Sequence, residues 1–218
     1  MKAQVVVARY NESVDWLQPI QDKCLFINKG EPLNLPNEVH LENLGRESDS
    51  YLWYIIENYD SLPDVVAFTQ GNIADHRSGS PLYKVIETMI EEATQYSCSR
   101  PHTIHTSRGP NMSCFDPDFN FMPIWDFDNR DEFWMQNNYK NNQPIRFSLW
   151  LETVVGKEYT NPFLIYTNAI FAVRKDKILK YSKEFYQRLR DEVHHHVNPA
   201  EGHFLERTWF LLYNVPLN

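Results

Sequence analysis

The chain has little cysteine, no excess of positive charge, no long apolar run and none of several common catalytic signatures, and each lack argues against a class of protein. Three cysteines among 218 residues, Cys24, Cys98 and Cys114, show no CxxC spacing and no even count. They argue against a disulfide framework and favour a reducing compartment. The formal net charge of −8 speaks against a broad electropositive face for DNA or RNA, so no nucleic-acid partner is expected and an anionic ligand must be held locally. Nowhere do about 18 apolar residues run together, as a membrane span requires. The amino terminus enters a short strand-like run, Ala3 to Ala8, without the basic region and longer apolar stretch of a signal peptide. A cytoplasmic protein with no membrane span is the expectation. There is no GxGxxG after a strand, no GxxxxGK[ST], no GxSxG and no HExxH, which disfavours dinucleotide, P-loop, α/β-hydrolase and zincin chemistry.

What is present points to a folded α/β domain. The hydrophobic share is 42% and the aromatic share 14%, enough apolar surface to offset the entropy of ordering the chain. Its length suits one domain better than two. Val5-Val6-Val7 is a β-branched run that stops at Arg9-Tyr10-Asn11-Glu12; Cys24 to Ile27 stops likewise at Asn28-Lys29-Gly30, and Asp64 to Thr69 at Gln70-Gly71-Asn72. Tyr51, Leu52, Ile55, Ile56 and Tyr59 recur at helical spacing, as do Leu82, Val85, Ile86, Met89 and Ala93 after a Ser80-Pro81 start. Alternating strands and helices predict a mostly parallel sheet with helices packed on it. From Ser97 to about Pro144 the periodicity lapses, as in a functional or mobile insert. Helical spacing returns over Phe147 to Val155, Ser182 to Val193 and Gly202 to Tyr213, with a strand at Ala169 to Val173.

In such a sheet, ligands bind beyond the carboxyl ends of the strands. The residues there, Arg9, Asn11, Glu12, Asn28, Lys29, Gln70, Asn72, Asp75, His76 and Arg77, can offer donors to a base and ribose, cations to a diphosphate and a carboxylate to Mn²⁺ or Mg²⁺. Strand-end loops are polar in most proteins, which is the plainer explanation.

Five segments carry a resemblance by their order: Val5 to Glu12, Gly45-Arg46-Glu47 with Tyr51 following, Asp64 to Gly71, Asn168 to Val173, and Gly202 to Trp209. In these the chain resembles a glycosyltransferase-like family of fungi and large viruses. The resemblance covers nearly the whole chain. It implies a single domain of the glycosyltransferase A type, a Rossmann-like mixed sheet flanked by helices. The donor nucleotide would bind to about 1–96, and the insert and acceptor side would occupy about 97–218. It also implies a UDP-sugar donor, a glycan acceptor and Mn²⁺ or Mg²⁺, with viral glycan synthesis in the host cytoplasm as the setting and a deoxyhexose such as rhamnose as a sugar to test. On that basis Ala8, Arg9, Tyr10 and Asn11 would hold the uridine. Arg46 and Ser50 would lie near ribose or diphosphate, with Gln70, Gly71 and Arg77 beside the nucleotide.

The Asp-X-Asp metal signature of such enzymes is incomplete after the third strand, which leads into Asp75-His76-Arg77; literal matches occur only in the insert, at Asp116-Pro117-Asp118 and Asp126-Phe127-Asp128. Asp75 is the expected metal ligand, with His203 as a second; a turn aspartate and a helix-start histidine are the plainer alternatives. Glu206 and Arg207 can pair on one helix, and His194-His195-His196 fits a solvated helix end. Trp125, Trp134 and Trp150 can stack on an acceptor sugar or simply fill the core. Should the reaction invert the anomeric centre, Glu152 and Asp126 are the expected bases. The alternative from another class is a non-catalytic carbohydrate- or nucleotide-binding module of a larger polypeptide.

Overall fold

The computed structural model describes residues 1–74, 81–99, 138–158 and 169–213 with their side chains, and the backbone of 115–116, 119–122 and 163–164. Val5, Val6 and Val7 are wholly buried because β1 (Ala3–Arg9) is central and covered on both faces. It pairs in parallel with β2 (Cys24–Asn28) on one side and β4 (Val65–Gln70) on the other. β3 (Glu38–His40) extends the sheet in parallel beyond β2. The fifth strand, β8 (Phe171–Arg174), runs antiparallel to β4. The order is β3-β2-β1-β4-β8. A separate small antiparallel sheet joins β5 (Phe115–Asp116), β6 (Phe119–Met122) and β7 (Phe163–Leu164).

Strand alternation sorts the core into two layers. Val6, Val66 and Phe68 face α1 (Arg46–Glu57), α5 (Lys183–Val193) and α6 (Ala200–Tyr213). Val5, Val7, Val65 and Ala67 face α2 (Leu82–Tyr96) and the 3₁₀ segment Asp15–Lys23. On the first side the rings interlock. Tyr51 lies 4.8 Å from Phe68, Phe68 5.1 Å from Phe171, and Phe171 5.6 Å from Trp209, centroid to centroid. Each such pair contributes about 0.5–1.5 kcal/mol beyond its buried area. Residues from both expected portions, 1–96 and 97–218, share this core, so they fold as one α/β domain.

Several expectations change in detail. β3 was not foreseen, because Glu38-Val39-His40 is too short and too polar to show a strand period. The Phe147 to Val155 helix divides into α3 (Phe147–Trp150) and a π-helical turn, Leu151–Val155. The strand expected from Ala169 begins at Phe171, since Ala169 takes a left-handed φ of +52°. A four-residue helix, α4 (Lys175–Ile178), follows it. Trp150 is core, 1% exposed, with its indole N–H donating to Glu192. The three histidines follow the exposed end of α5, as expected, and two of them also meet carboxylates. His194 Nδ1 lies 2.9 Å from Asp49 and His195 Nε2 3.2 Å from Glu201.

Candidate functional site

All four parallel strands end on one edge, and the order reverses between β1 and β4, where β2 and β4 flank β1. That is where an open α/β sheet leaves a crevice. A cavity of about 290 Å³ opens there. Ala8, Arg9, Tyr10 and Glu12 reach it from the end of β1, Gln70 and Asn72 from the end of β4, and Lys29 from the end of β2. Arg46, Glu47 and Ser50 enter from the first turns of α1, and Val197 comes from the segment before α6. Six residues expected from the resemblance, Ala8, Arg9, Tyr10, Arg46, Ser50 and Gln70, thus line one cavity.

The cations of this site have different duties. Arg9 folds under its own loop: its guanidinium donates to the carbonyls of Tyr10, Glu12 and Glu31 and to Asn28 Oδ1, at 2.7–3.1 Å. It fixes the backbone that forms the cavity wall. Asn11, exposed, accepts from the Glu31 amide at 2.8 Å and joins the same two loops. Gly71 is pinned through its main chain, its N–H donating to Ala8 and its carbonyl accepting from the Trp16 indole, both at 2.8 Å. Lys29 donates to the carbonyls of Leu44 and Arg46 and to Asp49 Oδ2. Burial pushes its pKa down, opposed chiefly by Asp49. Its three donors are thereby spent on the turn that launches α1.

Arg46 differs, because its guanidinium meets side chains. Its Nη1 lies 3.3 Å from Asn198 Oδ1 and 3.1 Å from His203 Nε2, and its Nε lies 3.5 Å from Glu47. The chain delivers it through two successive left-handed residues, Gly45 at φ +68° and Arg46 at φ +53°. A Cβ at Gly45 would meet the Asp49 Cβ at 2.5 Å, so only glycine fits the first position. For arginine the left-handed conformation costs about 1–2 kcal/mol, strain of the kind found where a side chain must be aimed.

Another glycine explains how the loops stay close. A Cβ at Gly30 would stand 2.0 Å from the Tyr10 carbonyl oxygen and 2.4 Å from Asn11 Oδ1. Gly30→Ala must therefore part the β1 and β2 loops, and is expected to cost about 2 kcal/mol by overpacking and to weaken any ligand of the cavity. Urea denaturation checks the first effect; an unchanged midpoint would show that the loops separate freely.

His203, on the first turn of α6, is 7% exposed. Its pKa is pushed down to about 4 by burial and then by Arg46. A neutral imidazole is the form that a metal takes, yet Arg46 Nη1 stands 3.1 and 3.3 Å from its two ring nitrogens. A divalent ion at His203 would have to displace that guanidinium. Among the described residues no three His, Cys, Asp or Glu side chains gather as a metal centre. Asp75, Arg77 and Asp126 lie outside the described residues, as do His76, Trp125, Asp128 and Trp134. Glu152 is exposed on the π-turn and is not among the described residues lining the cavity.

Glu47, Asn43 and Val197 line the cavity but were not singled out from the sequence. Glu47 gave a usable signal, standing three residues before Ser50 and so on the same helical face. Val197 gave none, since only folding brings the turn after α5 to the end of β1.

The crevice and its lining define an α/β protein with a polar cavity at the switch point of a mostly parallel sheet. The family is shown by comparison: residues 5–217 match the model described as "Protein of unknown function (DUF3431)", and the chain belongs to that family. No curated protein and no solved structure matches the chain. No described helix is long and apolar enough to cross a membrane.

Proposed function

We propose that this protein is a glycosyltransferase of the glycosyltransferase A type, moving a sugar from a UDP-sugar to a glycan acceptor. The observation that carries the proposal is the convergence of Tyr10, Arg46, Ser50 and Gln70 on one cavity at the switch point. Tyr10, half exposed at the cavity, offers a ring to a flat base. Arg46 offers a planar, permanently charged fork to the diphosphate. The N-cap of α1 is Gly45, which has no side chain to cap the first turn, and that turn lines the same cavity. In the reaction, the bond from the anomeric carbon to the phosphate oxygen breaks and its electron pair leaves with UDP. The acceptor hydroxyl oxygen bonds to that carbon and its proton passes to water. Arg46 balances the charge that grows on the departing phosphate.

Thermal unfolding tests this with UDP, with and without Mn²⁺. UDP at about a hundred times its Kd should add about 2.7 kcal/mol of stability, and Arg46→Ala should weaken UDP binding by about tenfold or more. No shift with any nucleotide, in either condition, would overturn the proposal. Slow hydrolysis of the UDP-sugar separates a transferase from the alternative, a non-catalytic binding module of a larger polypeptide, which would bind UDP and hydrolyse nothing.

A further inference from the structure

One part of the cavity is unsuited to phosphate. Glu47 and Ser50 stand one turn apart on the same face of α1, and both line the cavity. Glu47 is 9% exposed and Ser50 0%. The Ser50 hydroxyl has no hydrogen-bond partner. A buried hydroxyl left unpaired is costly, and in a native site it calls for an explanation. Its neighbour is equally out of place. The Glu47 carboxyl is pushed up by burial, with Arg46 opposing and Glu206 reinforcing the rise. Its ion-pair partner, Arg46 Nε, is at a loose 3.5 Å. A carboxylate repels a diphosphate, so Glu47 is not explained by the leaving group. A carboxylate accepts two hydrogen bonds side by side, and a serine hydroxyl both gives and accepts one. Two adjacent sugar hydroxyls match that set.

We propose that Glu47 and Ser50 form a subsite for a vicinal diol, Glu47 accepting from both hydroxyls and Ser50 completing the hydrogen-bonding of one of them. This rests on the nucleotide-sugar proposal above and adds the part of the ligand that the site selects. It divides the cavity by charge. Arg46 takes the anion, and the next residue along the helix takes the hydroxyls.

Two sources of diol are available in a UDP-sugar, the ribose and the transferred sugar, and calorimetric titration distinguishes them. Wild-type protein is titrated with UDP, 2′-deoxy-UDP and UDP-glucose, and the series is repeated with Glu47→Gln and Ser50→Ala. If ribose is the source, UDP binds at least about tenfold tighter than 2′-deoxy-UDP, and Glu47→Gln brings that ratio to about twofold or less. If the transferred sugar is the source, the advantage of UDP-glucose over UDP collapses in the variant instead. Ser50→Ala should reduce the same ratio while keeping the wild-type melting temperature, since its hydroxyl holds nothing in the protein. Ratios unchanged in Glu47→Gln for both pairs, in a variant that melts like wild type, would overturn the subsite and leave the nucleotide proposal standing. Failure of the wild type to bind any of the three would overturn both.

Discussion

Asp49→Ala is expected to lower the unfolding free energy by about 3–5 kcal/mol, the cost of leaving a buried charge without its partner. Asp49 is a fully buried carboxylate on the face of α1 that meets α5. Its Oδ2 accepts from Lys29 at 3.0 Å, and its Oδ1 accepts from Arg190 at 2.8 Å and lies 2.9 Å from His194. Burial alone would raise its pKa; Lys29 and Arg190 outweigh burial and hold it below the usual carboxylate range. Its contribution is therefore fully present above the unfolded value and lost as pH falls through the lower, folded value. Removing the carboxylate strands Lys29, whose side chain is 4% exposed and which also holds the carbonyls of Leu44 and Arg46. The turn that presents Arg46 should loosen with it. Urea denaturation of Asp49→Ala and of the double variant Asp49→Ala/Lys29→Met checks this. The double variant should recover part of the loss, because an apolar side chain needs no counter-charge. A loss under about 1 kcal/mol in the single variant would show that water reaches Lys29.

The second large effect is acid destabilisation through His203. Its folded pKa, about 4, lies below the ordinary histidine value of 6.5. Above pH 6.5 both folded and unfolded forms are neutral and nothing changes. As pH falls from there, the unfolded chain takes up a proton that the folded protein refuses, so stability drops until about pH 4. The full loss is about 3 kcal/mol. Arg46 and Arg207 face the imidazole and oppose its protonation, and Glu206 favours it. Glu47, with its raised pKa, titrates with the opposite sign and masks part of the slope in the wild type. Subtracting the profile of His203→Gln isolates the histidine. The wild-type advantage over that variant should shrink by about 3 kcal/mol between pH 7 and pH 4. A constant difference across that range would mean that His203 is solvated.

Much of the sheet was legible because its central strands are written in unbroken apolar runs. Val5 to Val7 and Val65 to Phe68 had nowhere to go except between two layers, and both are buried throughout. The stripes of α1 and α2 followed from helical spacing in the same way. Less legible were elements whose pairing depends on distant partners. β3 is three residues long and exists because β2 offers it an edge, and β8 runs antiparallel because the chain returns to β4 from the far side. Local periodicity contains neither fact.

For the site, the sequence placed polar residues after each apolar run, which is enough to put Ala8, Arg9, Tyr10 and Gln70 on one edge. It could not say which of them faces a ligand. Arg9 and Lys29 read as free cations along the chain, yet backbone carbonyls close around both once the loops meet. Arg46 reads as an ordinary helix start, but its left-handed backbone and its contact with His203, 157 positions away, set it in the cavity wall with side chains as its partners.

By itself, then, the sequence determined the layers, because apolar periodicity is a local property and the hydrophobic effect acts on it wherever the chain leads. The assignment of charge came from contacts made in the folded protein. Whether a cation or carboxylate serves the fold or a ligand depends on which partners lie within a few ångströms, and for Asp49 and Arg46 some of those partners come from segments well over a hundred residues away.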